Sequence, residues 1–344
     1  MRSLVLTAAR TLALAILSCS LLSVAAAAER EPLTINWYHK ATFLQPVIDA
    51  FSKDTGIAVK VTDAYDKFDT DVILVSDYKT LTEAKKLNAF QPIRSPDLDA
   101  IVAPRWRDRD GYWYGVVLRA RAVIYNKAQV KPGEIKSYAD LADRKWQGKI
   151  ALRPATSVYN RSLLASMIVH DGYASALEWA RAVRANAGDK PEYGGDTANI
   201  WRVAKGEAAL SFVNTYYINY EIARGSEQKN GIKLADNIGI AWLGQQGAGQ
   251  HMNVTGVAVN TATTRKDDAM KLVRFLLSQK GQALLSQHVF KYPVRTDVAP
   301  HPQLQAWGDF RRDDLNLNDL ELHYDQVDGI FRAVGWRAWL RDAE

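Results

Sequence analysis

The sequence predicts an α/β fold in two lobes, and three observations carry that reading. From Leu33 onward, strand-like and helix-like segments alternate: LTINWY, FLQPVIDAFSKDTG, IAVKV, TDVILVSD, KTLTEAKKLNAF. Alternation of this kind specifies a mostly parallel sheet wrapped by helices. A later run, YWYGVVLRARAVIYN, has strand character over its whole length and is long enough to pass from one lobe to the other. The chain has a single cysteine, so no disulfide can staple it, and it must bury a sizeable core, which two lobes supply.

The N-terminal segment MRSLVLTAARTLALAILSCSLLSVAAAA carries Arg2 and Arg10, then an apolar stretch, then small residues. That order is a secretory signal peptide, residues 1–28, cut after Ala28. Its apolar part is short and runs into alanines rather than a stop-transfer flank, and no later segment reaches spanning length. Cys19 lies inside the removed segment, and Leu17-Ser18 is a poor lead-in for a lipid-anchored cysteine. The whole chain has 44 basic and 38 acidic residues; the leader takes away two arginines and no acid, so the exported chain is mildly basic, 42 against 38. Its charges are interspersed, which argues against a nucleic-acid partner.

Taken in order, the first helix places Val47, Ile48 and Phe51 on one face with Gly56 as a stop, and VILV reads as a fully buried strand. Asp110-Gly111 reads as a hairpin turn leading into the long strand. A second α/β unit follows: SYADLAD as a capped helix start, GKIALRP as a strand, and TSVYNRSLLASMIVHDG as a helix ended by Gly172. The pattern continues through SALEWARAVRAN, DTANIWRVAKG, strand AALSFVN, helix YYINYEIARG and strand NIGIAWL. GQQGAGQ lacks the spacing of a nucleotide loop and lies between two strands, so it reads as a surface connection. Strand MNVTGVAVN, helix DDAMKLVRFLLSQKGQALLSQH and a proline-punctuated, then helical, tail complete the chain.

The residues that invite chemistry are tyrosines. Asn214-Thr215 after ALSFV is a helix N-cap signal, which puts Tyr216 and Tyr217 in a first helical turn, where both can reach one point. Tyr159 repeats that placement after Thr156-Ser157, and Tyr38-His39 closes the first strand in the same way. These positions lie at carboxyl ends of strands in separate units, where open α/β sheets bind ligands. A single tyrosine at a helix start usually packs half-buried; three placed alike raise the case for binding. Gathered phenols suit a hard, highly charged cation such as ferric iron, because only a strong positive charge ionises tyrosine at neutral pH. The six histidines are scattered without zinc or copper ligand spacing. No serine elbow, zincin helix, P-loop or paired-cysteine motif is present, and Arg119-Ala120-Arg121 could hold an anion.

Along nearly its whole exported length the chain resembles the periplasmic ferric-iron-binding proteins, the substrate-binding subunits of bacterial iron ABC transporters. The marks are TDVILVSD with AFQPIRS, GYWYGVVLRARAVIYNK, YADLADRKWQGKIALRPATSVYNRSLLASMIVHDG, GEAALSFVNTYYINY, HMNVTGVAVN with VRFLLSQKGQALLSQHVFKYPV, and VGW. The resemblance implies the two-lobed type II periplasmic-binding-protein fold of the transferrin-like class, with Fe3+ as ligand in the cleft. It implies that Tyr159, Tyr216 and Tyr217 are metal ligands, and that a synergistic anion such as carbonate sits on Arg121, or on Arg119. Many members carry Arg-His-Tyr after their first strand. Here the stretch is Trp37-Tyr38-His39-Lys40, which leaves His39, Tyr38 in its place, or the three tyrosines with water or an anion. The link VTDAYDKFD is too short for the helix that members place there, and Asp63, Tyr65, Asp66 and Asp69 lie near the cleft edge.

The expectation is therefore a periplasmic binding protein rather than an enzyme, a monomer that serves an inner-membrane ABC permease. Residues 29–121 plus 256–292 would form the first lobe and 122–255 plus 293–344 the second, with crossings near 120–125 and 254–258. A binder of a small organic anion on the same fold is the alternative.

Overall fold

The computed structural model describes residues 31–37, 41–63, 68–188 and 194–337. The leader, Tyr38, His39, Tyr65 and Asp66 lie outside that set. Among the described residues no helix is long and apolar enough to cross a membrane.

The first half of the chain builds β1 (Leu33–Trp37), α1 (Gln45–Thr55), β2 (Val59–Asp63), β3 (Val72–Val75), α2 (Tyr78–Lys86), β4 (Phe90–Gln91), α3 (Pro96–Ile101) and β5 (Trp113–Asn126). Helix α1 buries the expected Val47, Ile48 and Phe51 and closes with the Gly56 N–H on the Ser52 carbonyl. Asp77 caps α2 by accepting from the Lys79 N–H at 2.9 Å. All four side chains of VILV are buried, as a strand covered on both faces requires.

The second half adds β6 (Ile150–Ala151), α4 (Val158–Asn186), α5 (Asp196–Ala204), β7 (Leu210–Asn214), α6 (Tyr216–Ala223), the small hairpin β8 (Gln228–Lys229) and β9 (Ile232–Lys233), α7 (Leu234–Asn237) and β10 (Ile238–Ala241). Then come β11 (Met252–Asn260), α8 (Lys266–Leu277), α9 (Gln279–Val289), β12 (Tyr292–Pro293), α10 (Pro302–Gln305) and α11 (Tyr324–Ala333). Three expectations are corrected here. Gly172 does not end its helix but bends it: at φ 82° and ψ 163° it breaks the helical path, and α4 resumes directly through SALEWARAVRAN. Ser278, extended at ψ 162°, splits the single long helix expected after Thr264, and its hydroxyl caps α9 by accepting from the Gly281 N–H at 3.0 Å. SYADLAD forms only a short 3-10 turn over Ala139–Ala142.

The sheet is mixed rather than mostly parallel. Strands β1–β2, β1–β3 and β6–β7 pair in parallel, but β11 and β5 join antiparallel. The reason is β5, fourteen buried residues long, which belongs to two sheets. Its first part, to Ala120, pairs with β11, in the order β2-β1-β3-β11-β5; from Arg121 on it pairs with β7 on one side, and from Val123 with β10 on the other. The Arg121 N–H donates to the His251 carbonyl at 3.1 Å at the change of partner.

A bulge marks the first part of β5: Thr255 pairs with Val117 and Gly256 with Gly115, so Val116 is the extra residue. Its carbonyl accepts from the Gln282 side chain at 2.7 Å. Gly115 is required because a Cβ there would lie 2.6 Å from the Trp106 carbonyl and 2.5 Å from the Val254 side chain. The C-terminal segment straps the two halves: Asp314, Asp319 and Glu321 pair with Arg105, Arg109 and Lys86, while Asp313 accepts from or pairs with His170 and Tyr324 meets Ser162.

Two predictions come from this frame. Gly115→Ala should destabilise the protein by about 1–3 kcal/mol through overpacking, read as a lowered urea midpoint. His251 sits buried at the crossing, and burial pulls its pKa down to about 4, opposed by Asp313 and aided by Arg119 and Arg121. The unfolded imidazole titrates near 6.5, so between pH 6.5 and 4 the unfolded chain binds more protons and stability falls as pH falls, approaching roughly 3 kcal/mol. His251→Asn should flatten the pH dependence of the urea midpoint in that window; an unchanged slope would rule the residue out as its source.

Candidate metal centre

Two strand-to-helix junctions build the centre. The end of β7 leads through Thr215, already helical at φ −57° and ψ −32°, into α6, whose first two residues are Tyr216 and Tyr217. The loop after β6 leads through Ser157 into α4, with Tyr159 second in that helix. Neither Thr215 nor Ser157 makes the side-chain capping bond that the sequence suggested. The leading N–H groups of both helices are therefore not masked by those hydroxyls.

The three phenols meet. Tyr159 and Tyr216 share a hydroxyl contact of 3.3 Å. The Tyr216 and Tyr217 rings stack with centroids 4.4 Å apart and planes inclined by 28°. Tyr159 and Tyr216 are buried, at 5% and 1% exposure, while Tyr217 is half-buried. The cluster thus has one accessible side. Among the described residues no group of three or more His, Cys, Asp or Glu side chains is arranged to hold a metal ion, so this oxygen set stands apart from a zinc- or copper-type site.

Cations surround it. The guanidiniums of Arg153, Arg119 and Arg121 lie 5.0, 5.4 and 5.7 Å from the Tyr159 ring centre. Lys291 lies 4.5 Å over the Tyr216 ring and 5.2 Å from that of Trp37, the last residue of β1. Burial, with Arg119 adding repulsion, holds the Lys291 ammonium well below the usual lysine range. Two carboxylates answer the arginines. Asp77 pairs with Arg119 at 3.0 Å, and Asp196 with Arg121 at 2.9 Å and Arg153 at 3.1 Å. The arginines expected to receive an external anion therefore have their terminal nitrogens engaged by the protein: Arg121 also donates to Asn160 at 2.9 Å, and Arg119 lies 3.4 Å from Thr255 Oγ1.

The two carboxylates differ in a way that their partners explain. Burial pushes Asp77 up, and its single guanidinium offsets this only in part, so it stays above the usual range. Burial also pushes Asp196 up, but Arg121 and Arg153, with the Asn214 N–H, bring it below that range. The phenols of Tyr159 and Tyr217 are pushed up, first by burial and then, for Tyr217, by the Asp196 carboxylate and, for Tyr159, by Tyr217, beside which a second phenolate is disfavoured. Without a metal, Tyr159 and Tyr217 consequently hold neutral phenols, and a cation of high charge is what would ionise them.

The expected first-lobe ligands, His39 and Tyr38, lie outside the described residues. The chain on either side of them does approach the cluster: Trp37 shares Lys291 with Tyr216, and Phe43 stacks on Tyr220 of α6 at 4.5 Å. Asp69 is exposed. Sequence reasoning missed Asp196, Arg153, Lys291 and the pairing of Asp77. Asp77 and Asp196 carry a local signal as acids at helix starts, but their arginine partners are distant in the chain.

The family model for the bacterial extracellular solute-binding proteins matches residues 70–314. Iron uptake protein A1 of Synechocystis is 37% identical over 267 residues, covering 78% of this chain and 73% of that protein. Among solved structures, the Trichodesmium protein in complex with iron and citrate superposes with a TM-score of 0.79 at 30% identity, covering 88% of this chain and 99% of that one. The Mannheimia haemolytica ferric iron-binding protein A in an open conformation gives 0.81 at 26% identity, covering 90% and 99%. The chain belongs to the bacterial extracellular solute-binding proteins and has their two-lobed type II periplasmic-binding fold.

Proposed function

We propose that this protein captures ferric iron in the periplasm and delivers it, as a monomer, to an inner-membrane ABC permease. One observation carries the reading: three tyrosines from two helix starts gather in one cluster, two sharing a hydroxyl contact and two stacked, ringed by guanidiniums. Phenolate oxygens on a hard trivalent ion, with fixed positive charge behind them, match that chemistry. Several relatives carry ferric iron in their names, which supports the same cargo.

In this reading Tyr159, Tyr216 and Tyr217 bind the metal on one wall. Residues after β1, His39 or Tyr38, close over it from the other. Closure is a rigid-body movement of the two halves about the strand crossings at Ala120-Arg121 and Gln250–Met252, the second a few residues before the expected 254–258, which already lies within β11 against β3 and β5. A small carboxylate such as citrate completes the coordination from the side at Tyr217. No bond is made or broken in the cargo. The alternative, an organic anion held directly by Arg121, is not favoured, because that guanidinium is already bound to Asp196 and Asn160.

Ferric phenolate absorbs visible light by charge transfer, so ferric citrate should colour the metal-free protein. Tyr216→Phe plus Tyr217→Phe should abolish the band, and Tyr159→Phe should weaken and shift it. A colourless titration of the native protein, or a band that survives the double substitution, overturns the assignment.

A further inference from the structure

We infer that Asp196 is a built-in anion: its carboxylate fills the seat between Arg121 and Arg153 that an external carbonate would otherwise take, so that iron capture does not depend on bicarbonate. The part of this that concerns iron rests on the ferric reading above.

The seat is closed around the carboxylate. Asp196 is 1% exposed, and both its oxygens lie 2.9 Å from Arg121 Nη1. Arg153 Nη1 approaches one of them at 3.1 Å, and the Asn214 N–H donates to the other at 2.9 Å. A carboxylate offers a guanidinium the same two-oxygen edge that carbonate or formate does. Two guanidiniums facing each other here with no anion between them would be buried, uncompensated charge.

Its bonds also tie together the segments that bear the phenols. Asn214 directly precedes the Thr215-Tyr216 junction, Arg121 holds Asn160 beside Tyr159, and Arg153 lies over the Tyr159 ring. Asp196 itself hydrogen-bonds none of the three phenols in this arrangement. It is a positioning residue.

Removing the side chain should convert the seat into a vacancy for a small anion. In Asp196→Gly the metal-free protein should melt lower than the native protein and recover with sodium formate or bicarbonate, against chloride at equal ionic strength; the native melting point should ignore both. In ferric nitrilotriacetate titrations, bicarbonate should leave the native affinity within about twofold and raise that of Asp196→Gly by about tenfold or more, within the usual range of linked binding. A tenfold gain for the native protein, or a variant whose melting ignores both anions, overturns the inference. If Asp196→Gly does not fold, the native titration with and without bicarbonate decides. If the native protein shows no iron band in any buffer, the ferric reading fails, and the metal-free melting series still decides whether Asp196 occupies an anion seat.

Discussion

Two arginines two residues apart on β5 point to one face of a strand that both halves of the molecule share, and each must be neutralised where it is buried. Arg119 is held by Asp77 from α2, and Arg121 by Asp196 from α5. The requirement that buried charge be paired thus fastens each half to the common strand separately. Asp77 does more than answer Arg119: it accepts from Asn253 on β11 and from Ser162 on α4, three residues beyond Tyr159. The tyrosine-bearing helix is therefore referenced to the opposite half through one carboxylate and to its own half, through Arg121 and Asn160, by another.

That arrangement explains how a site of neutral phenols can await a highly charged cation. Burial disfavours the phenolate at Tyr159, whose hydroxyl meets that of Tyr216; in the proposed function a metal replaces that contact. The guanidiniums cannot lose their charge, and their surplus over the two carboxylates favours whatever negative charge the metal draws out of the ring of oxygens. The aromatic contacts of Phe43 with Tyr220 and Phe290 bring the segment after β1 against the helix that bears Tyr216 and Tyr217.

Much of this was legible in the chain. The buried stripe of α1, the continuous VILV strand, the Asp110-Gly111 turn and the long β5 follow from periodicity and turn chemistry, which are local. Tyr159, Tyr216 and Tyr217 could be singled out because strand, cap and helix signals stand next to them. The departures have equally local causes: Gly172 has the conformational freedom to bend a helix without ending it, and Ser278 caps a second helix where a single one was expected. The mixed sheet was not legible, since direction depends on where β5 and β11 come from in space.

By itself the sequence determined the alternation of elements, the helix starts at which the tyrosines stand, and the kinship to iron-binding proteins, because each is written in neighbouring residues or in their order. Only the tertiary structure decided what faces those tyrosines. Arg121 reads the same in a sequence whether it waits for carbonate or is satisfied by a carboxylate seventy-five positions away. Lys291 reads as an ordinary lysine until burial over Trp37 and Tyr216 lowers its pKa. Pairing of buried charge is a property of distance in space, and chain order does not carry it.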